Sequence, residues 1–348
     1  IVYSSSTKGN NVTRNVNYGK HYTPSECIII FSADLSGRKH SMNLKNEILR
    51  LLAENGRLEA ADIAERLHVT EKTAKKAVKE SQKKFAAALA ELADVYVNDA
   101  FGTCHRAHAS MATMVPHFGE NKACGYLLKK EIDFLGGIVY DPKHPFVAIL
   151  GGAKVSDKIG VIESLIEKCD QICIGGAMAY TLLSAKGVDV ASSRVEKDAL
   201  DIAKNILAKA AGSKCELLLP VDHVVSTALD DTTPCEIVDN FAEGQMGLDI
   251  GPKTRELYSN VVKAAKAVFW NGPMGVFENP RYAAGTIAVA NALTESEGIT
   301  VVGGGDSAAA IRQFGLDDKV THVSTGGGAS LELVEGKDLP GVEALRNK

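Results

Sequence analysis

From residue 141 onward the apolar positions follow two alternating rhythms. Short continuous apolar runs with β-branched members give way to stretches in which apolar residues recur every three or four positions. The runs predict strands near Phe146–Leu150, Gln171–Gly175, Glu216–Pro220, Ala267–Trp270, Thr300–Val302 and Thr321–Val323. The longer stretches predict helices near Val155–Cys169, Met178–Leu183, Lys197–Ala210, Lys253–Ala264, Ala283–Ala292, Ser307–Gln313 and Ser330–Val334. Strands and helices alternating at this spacing imply an α/β fold with a doubly wound parallel sheet. Such sheets take their ligands beyond the carboxyl ends of the strands.

The first part of the chain has another pattern. Residues 1–41 are rich in Ser, Thr, Asn, Lys and Gly and predict a poorly packed leader, with one apolar patch at Cys27–Phe31. Leu44, Ile48, Leu51 and Leu52 make one helical stripe that Gly56 ends, and Ala60, Ile63, Ala64 and Leu67 make a second. Thr70 is placed to cap a third helix carrying Lys72, Lys75, Lys76 and Lys79. Residues 42–84 therefore resemble a helix-turn-helix segment, whose third helix would enter the major groove of DNA. A small helical bundle with a solvated lysine face is the other reading. A separate helix at Phe85–Leu92, a strand at Asp94–Asn98 and a loop from Ala100 follow. Tyr126–Tyr140 reads as a long amphipathic helix ending near Gly136.

Composition narrows the function classes. The net charge of −4 gives no global attraction to nucleic acid or anionic membranes. No apolar run approaches the length of a membrane span, and the first residues lack the apolar core of a secretory signal. The seven cysteines are scattered, without a C-x-x-C pair. That usage fits reduced thiols in a cytoplasmic protein.

The candidate chemistry sits at the predicted strand ends. After Phe146–Leu150 come Gly151, Gly152 and Ala153, and then Lys154 and Lys158 one helical turn apart. If a helix starts near Ala153, both ammonium groups join its positive N-terminal end, an arrangement that calls for an anion such as phosphate. The spacing is not that of a P-loop. Gly175-Gly176, Asn271–Glu278, Gly303–Ser307 and Ser324–Ser330 follow the later strands. A single glycine turn says little, but a series on one rim predicts a nucleotide and phosphate site. Asp306 fits either a helix N-cap or a Mg²⁺ held on phosphates. Arg106, in a loop after a strand, fits an anion ligand or an ordinary surface position. The run Gly303–Ala308 also matches G-x-G-x-x-A, a weak dinucleotide pattern that lacks an acidic partner here.

Several stretches together resemble the phosphoglycerate kinase family. They are Val-Tyr-Val-Asn-Asp-Ala-Phe-Gly-Thr-Cys-His-Arg-Ala-His-Ala-Ser from Val95, Ile-Leu-Gly-Gly-Ala-Lys-Val-Ser-Asp-Lys from Ile149 and Phe-Trp-Asn-Gly-Pro-Met-Gly-Val-Phe-Glu from Phe269. Gly-Gly-Gly-Asp-Ser-Ala-Ala-Ala from Gly303 and His-Val-Ser-Thr-Gly-Gly-Gly-Ala-Ser-Leu-Glu-Leu from His322 complete the set. The likeness is nearly continuous from Phe85 to Leu345. It implies a nucleotide lobe over 141–348, an interdomain helix at 126–140 and a remnant of the family's substrate lobe at 85–125. It implies ADP or ATP with Mg²⁺ as cofactor, and 3-phosphoglycerate or 1,3-bisphosphoglycerate as the other substrate. Lys154 would steady the phosphoryl group in flight, and the Gly326–Gly328 turn, with Gly328, would aim a helix at it. Lys158 would hold nucleotide phosphates. Gly152, Ala153, Gly175, Gly176, Gly247, Leu248, Asn271, Pro273, Val276 and Glu278 would line the adenosine pocket, with Glu278 on the ribose. Gly304, Gly305 and Ser307 would meet phosphates, Asp306 the Mg²⁺, and Arg106 the phosphate of the glycerate.

The departures concern the first third. The family's Arg-Val-Asp-Phe-Asn segment and its Ser-His-Leu-Gly-Arg-Pro and Glu-Asn-Leu-Arg-Phe turns have no counterpart here. Of the acceptor-side basic cluster, Arg106 alone is matched. The alternative function is a nucleotide-binding module with little turnover, regulatory or DNA-binding through residues 42–84.

Overall fold

The computed structural model describes residues 2–3, 60–230 and 232–346. Most of the leader and the first helical stripe, Leu44–Leu52, lie outside the described residues. The chain divides into two compact units. One comprises the described residues up to Val97 together with 107–123; the other comprises 98–106 and 124–346.

In the first unit, α1 (Ala60–Arg66) and α2 (Glu71–Ala90) pack through Ile63, Ala64, Ala74 and Ala77, with Leu67, Val69 and Val78 beside them. His68 turns the chain between them with φ +53. Thr70 caps α2 as its side chain promised, accepting from Thr73 N–H at 3.2 Å. Lys72, Lys75, Lys76 and Lys79 are exposed, and Lys75 pairs with Glu71 at 2.6 Å. The two helices expected over Thr70–Lys84 and Phe85–Leu92 are one. Between Lys79 and Ala90 no Gly or Pro interrupts a run of good helix formers, so the change of pattern at Lys84 does not break the helix. Strand β2 (Val95–Asn98) lies in a small sheet between β1 (Val2–Tyr3) and β3 (Lys122–Cys124). The loop after β2 contains a 3-10 turn at Phe101–Thr103, a π turn at Ala109–Thr113 and a second 3-10 turn at Val115–Phe118.

The second unit is built on a parallel sheet. Its strands are β4 (Phe146–Leu150), β5 (Gln171–Ile174), β6 (Glu216–Leu218), β10 (Ala267–Asn271), β11 (Ile299–Val302) and β12 (His322–Val323). Their spatial order is β12-β11-β10-β4-β5-β6, with every pairing parallel. The chain runs outward from β4 through β5 to β6, then returns to β10 on the other side of β4 and runs outward again. The reversal opens a crevice at the carboxyl ends of β4 and β10, the position where open α/β sheets bind ligands. Both strands are buried along their whole length, as their apolar sequence requires.

Helices cover the sheet: α3 (Tyr126–Tyr140), α4 (Ile159–Ile166), α5 (Gly176–Ala185), α6 (Leu200–Ala211), α7 (Pro252–Ala264), α8 (Ala284–Glu295), α9 (Gly305–Gln313), α10 (Gly327–Val334) and the short α11 (Pro340–Glu343). Helix α3 passes its expected end at Gly136. Gly136 faces the Tyr140 ring, and the backbone continues to Asp141, whose N–H bonds to Gly137 O. Its buried Glu131 accepts from Thr325 N–H at 2.6 Å and pairs with His322 at 2.8 Å, which ties α3 to the end of β12. Residues 98–106 belong to this unit because they are pinned to it. Asp99 Oδ1 accepts from Leu128 N–H at 3.0 Å, and Asn98 Nδ2 donates to Gly341 O at 3.2 Å.

One element had no sequence forecast. The three-stranded antiparallel sheet β8-β7-β9 is formed by β7 (His223–Ser226), β8 (Glu236–Val238) and β9 (Met246–Ile250). Its strands are short, β9 contains Gly247, and β7 and β9 slip register between Val224 and Val225.

Inside it His223 is 2% exposed, wedged against the Tyr180 and Phe241 rings at 5.6 and 4.6 Å, with Nδ1 unpartnered. Burial pushes its pKa down to about 4, against the pull of Asp222 and Asp239. The unfolded chain therefore binds this proton first as pH falls, and the stability that the neutral ring provides above about pH 6.5 is lost on the way down to about 4. At about 1.4 kcal/mol for each tenfold in proton affinity, the loss is about 3 kcal/mol. Other groups titrate in the same window, so the expected result is a difference. The stability gap between the wild type and His223→Leu, measured by urea unfolding, shifts by about that amount in favour of the variant between pH 7 and 4. A constant gap refutes it.

Candidate active site

The crevice is laced shut at its base by main-chain bonds. Gly151 N–H donates to Asn271 O at 3.0 Å, Gly152 N–H to Pro273 O at 3.2 Å, Gly175 N–H to Leu150 O at 2.8 Å and Gly176 N–H to Met274 O at 2.9 Å. The turns after β4, β5 and β10 are thus one rim. Above it lies a cleft of about 390 Å³ lined by Gly152, Ala153, Lys154, Asp157, Lys158, Asn271, Gly272, Gly304, Gly305, Asp306, Ser307, Gly327 and Leu331.

The lysines are not on a helix that begins at Ala153. A 3-10 turn at Ser156–Lys158 comes first, and α4 starts at Ile159. The delay has a local cause: Glu196 accepts from both the N–H and the hydroxyl of Ser156 and fixes that turn. Lys154 stays exposed beside the cleft. Lys158 turns inward, donating to Gly151 O at 2.8 Å, Asn271 O at 2.9 Å and Asn271 Oδ1 at 2.5 Å. Burial lowers its pKa to about 8, opposed by Asp306 and Asp157. One ammonium group thus clamps the ends of the two strands that define the crevice.

Clamping Asn271 by its oxygen leaves its Nδ2 buried and without a protein partner. That donor faces Gly304, whose φ is +91 and where an added Cβ would come within 2.7 Å of Nδ2. Only glycine suits both demands. Ser307 is fully buried, its hydroxyl accepting from Gly272 N–H at 2.5 Å, while Asp306 is exposed at the start of α9. The first residues of α9 and of α10 line the same cleft, so two helix N-termini add their positive ends to the two lysines.

The remaining expected nucleotide residues form a second group. Val276 N–H donates to Leu248 O at 2.9 Å, and Val276 packs on the buried cluster of Val224, Leu248 and Tyr282. Gly247 lies on the Tyr180 ring, Pro273 is buried and Glu278 is exposed. Arg106 is exposed and donates through Nε to His105 Nε2 at 3.2 Å. His105 rests against Gly328, where an added Cβ would come 3.2 Å from Nε2. Sequence reasoning gave His105 no signal of its own. It also missed Asp157, Gly272 and Leu331 in the cleft wall and Glu196, which holds Ser156. Of these, Gly272 was legible as part of the Asn271–Glu278 turn.

Comparisons with known proteins give the family. A family model described as phosphoglycerate kinase matches residues 26–337. The chain belongs to the phosphoglycerate kinase family. A phosphoglycerate kinase of Clostridium novyi (strain NT) is 57% identical over 270 residues, which cover 77% of this chain and 68% of that protein. One of Anaeromyxobacter dehalogenans (strain 2CP-1 / ATCC BAA-258) is 58% identical over 262 residues, covering 75% of this chain and 66% of that one. The solved phosphoglycerate kinase of Coxiella burnetii superposes with a TM-score of 0.73 at 39% identity, covering 76% of this chain and 68% of the other. The Pyrococcus horikoshii OT3 phosphoglycerate kinase gives 0.67 at 33% identity, covering 76% and 67%. The chain spans about two thirds of the length of these phosphoglycerate kinases. The family match begins at residue 26, upstream of Phe85, where the likeness legible in the motifs begins.

Proposed function

We propose that the chain binds Mg·ADP or Mg·ATP in the crevice between β4 and β10. The reaction supported there is reversible phosphoryl transfer between 1,3-bisphosphoglycerate and ADP, giving 3-phosphoglycerate and ATP. The observation that carries this reading is the convergence of Lys154, Lys158 and the starts of α9 and α10 on one cleft at the reversal of strand order. Backbone N–H groups at a helix start and ammonium groups are what a polyphosphate needs. The exposed Asp306 carboxylate suits Mg²⁺, a hard cation commonly held by one or two carboxylates together with substrate phosphates and water. When bound, Mg²⁺ would neutralise phosphate charge. Among the described residues no group of three or more His, Cys, Asp or Glu forms a metal site by itself, consistent with an ion that arrives with its nucleotide.

The chemistry asked of the protein is placement and charge, with no covalent intermediate. Lys154, exposed beside the cleft, meets the phosphoryl group in transit. Lys158 holds the strand ends and through them the phosphate cradle. Val276, Leu248 and Gly247 present an apolar face to the nucleoside, and Glu278 is available to the ribose. Arg106, braced on His105 beside the start of α10, receives the acceptor's phosphate. Among the described residues no helix is long and apolar enough to cross a membrane, and all the described cysteines are free thiols. Free thiols fit the reducing cytoplasm.

Two substitutions separate the roles. Lys158→Ala removes the clamp and is expected to weaken Mg·ADP binding by ~100-fold, the scale of a lost charge-assisted contact. Lys154→Ala leaves affinity within ~3-fold but lowers the transfer rate by ~100-fold or more. The measurements are calorimetry for affinity and single-turnover transfer from ATP to 3-phosphoglycerate for rate. Equal losses of affinity with no effect on rate contradict this assignment.

A further inference from the structure

Asp249 lies on β9 between Leu248 and Ile250 and is completely buried. Its Oδ2 accepts from Gly285 N–H at 2.6 Å, in the first turn of α8. Its Oδ1 has no hydrogen-bond partner. That oxygen is pressed between two glycines. A Cβ on Gly275 would come within 2.4 Å of it and one on Gly285 within 2.2 Å. The same junction carries two further ties. Leu248 O accepts from Val276 N–H at 2.9 Å, and Met274 N–H donates to Thr286 Oγ1 at 3.1 Å. The carboxyl group therefore sits where β9, the turn carrying Val276 and Glu278, and the start of α8 meet. A buried carboxyl with an unused oxygen adds little to stability that an apolar residue would not add better. Its placement behind the nucleoside face points to a role in the site.

We infer that Asp249 is a positioning residue for the nucleoside half of the site, holding the Gly272–Glu278 turn in register with β9 and α8. The inference rests on the nucleotide reading above. It also says when the turn is held. The groups facing Asp249 are Arg255 from α7, which favours its charge, and Tyr180 from α5, which feels that charge. From the turn and α8 it meets Gly275 and Gly285. Burial raises its pKa from the ordinary carboxylate range to about 7, against the Gly285 and Ile250 N–H groups and Arg255. Below that pH the junction holds a neutral carboxyl. Above it, a buried charge with one unsatisfied oxygen favours opening to water, and opening moves Val276 and Glu278 off the nucleoside. Nucleotide binding, which needs the closed turn, is therefore linked to proton retention, and affinity falls as pH rises through 7.

Two measurements test this with the whole chain. Native-state amide exchange at Val276 and Gly285, without nucleotide, is followed between pH 6 and 8. The wild type should exchange ~10-fold faster at pH 8 than intrinsic base catalysis explains, while Asp249→Asn, which cannot ionise, should show the intrinsic rise alone. Calorimetry with Mg·ADP should show wild-type affinity falling across the same range relative to Asp249→Asn, which controls for titration of the nucleotide. Asp249→Ala should bind ~10-fold more weakly than wild type at pH 6, with Asp249→Asn within ~3-fold of it. An identical pH response in wild type and Asp249→Asn, or an Asp249→Ala protein with unchanged exchange and affinity, overturns the inference. If Asp249→Ala does not fold, the asparagine comparison decides. If the wild type binds no Mg·ADP, the nucleotide reading fails, and the exchange experiment alone decides whether Asp249 holds the turn.

Discussion

Turnover of this polypeptide with saturating 3-phosphoglycerate and Mg·ATP is expected to fall at least ~10³-fold below the ~1–100 s⁻¹ of ordinary kinases. Phosphoryl transfer needs donor and acceptor held in line, with positive charge on both sides of the moving group. On the proposed reading the donor side is Lys154, Lys158 and the starts of α9 and α10, which face one cleft. On the same reading the acceptor side is left with Arg106, because the arginine-bearing Ser-His-Leu-Gly-Arg-Pro and Glu-Asn-Leu-Arg-Phe turns of the family do not occur in this sequence. A single arginine that neutralises transition-state charge is worth ~10³-fold or more in related transfers. Loss of alignment removes further orders of magnitude. A coupled assay decides the matter. A rate within tenfold of the ordinary range means that residues before Phe85 supply charges not apparent in their sequence.

Gly304→Val is expected to abolish measurable nucleotide binding, a loss of ~100-fold or more. Two effects combine. The backbone at Gly304 has φ +91, which a β-branched residue resists. The new Cβ would also strike Asn271 Nδ2 at 2.7 Å. Asn271 cannot yield without giving up Lys158, which it holds through Oδ1 and its main-chain oxygen. One methyl-sized intrusion therefore disturbs the Gly304 turn, the α9 start and the clamp across β4 and β10 together. Calorimetry shows the loss, and the thermal midpoint of the variant without nucleotide separates it from misfolding. Retained affinity in a folded variant refutes the account of this turn.

The parallel sheet was legible because β4, β5, β10 and β11 are short apolar runs ended by glycine or asparagine, and burial on both faces leaves little choice of residue. The antiparallel sheet was not legible. Its strands carry His223, packed on the Tyr180 and Phe241 rings, Glu236, which accepts from Gln245 Nε2, and Gly247, which has no side chain, so no alternating pattern runs along them. The break expected at Lys84 failed for the opposite reason. Composition changed there, but helix propensity did not. At the site, the glycine turns announced a shared rim at the carboxyl ends of the strands, whereas the direction of each lysine was hidden. Lys154 and Lys158 look alike in sequence, and their difference is made by Asn271, more than a hundred residues downstream. Glu196 and Asp249 were invisible for the same reason, because each acts on a backbone segment remote from it in sequence.

The central claim is that the reversal of strand order between β4 and β10 makes a nucleotide-phosphate site. Calorimetric titration of the whole chain with Mg·ADP tests it most directly. The account predicts one saturable site per chain with a dissociation constant in the ~1 μM–1 mM range common for enzyme substrates. No heat and no rise in the thermal midpoint at several millimolar Mg·ADP would contradict it.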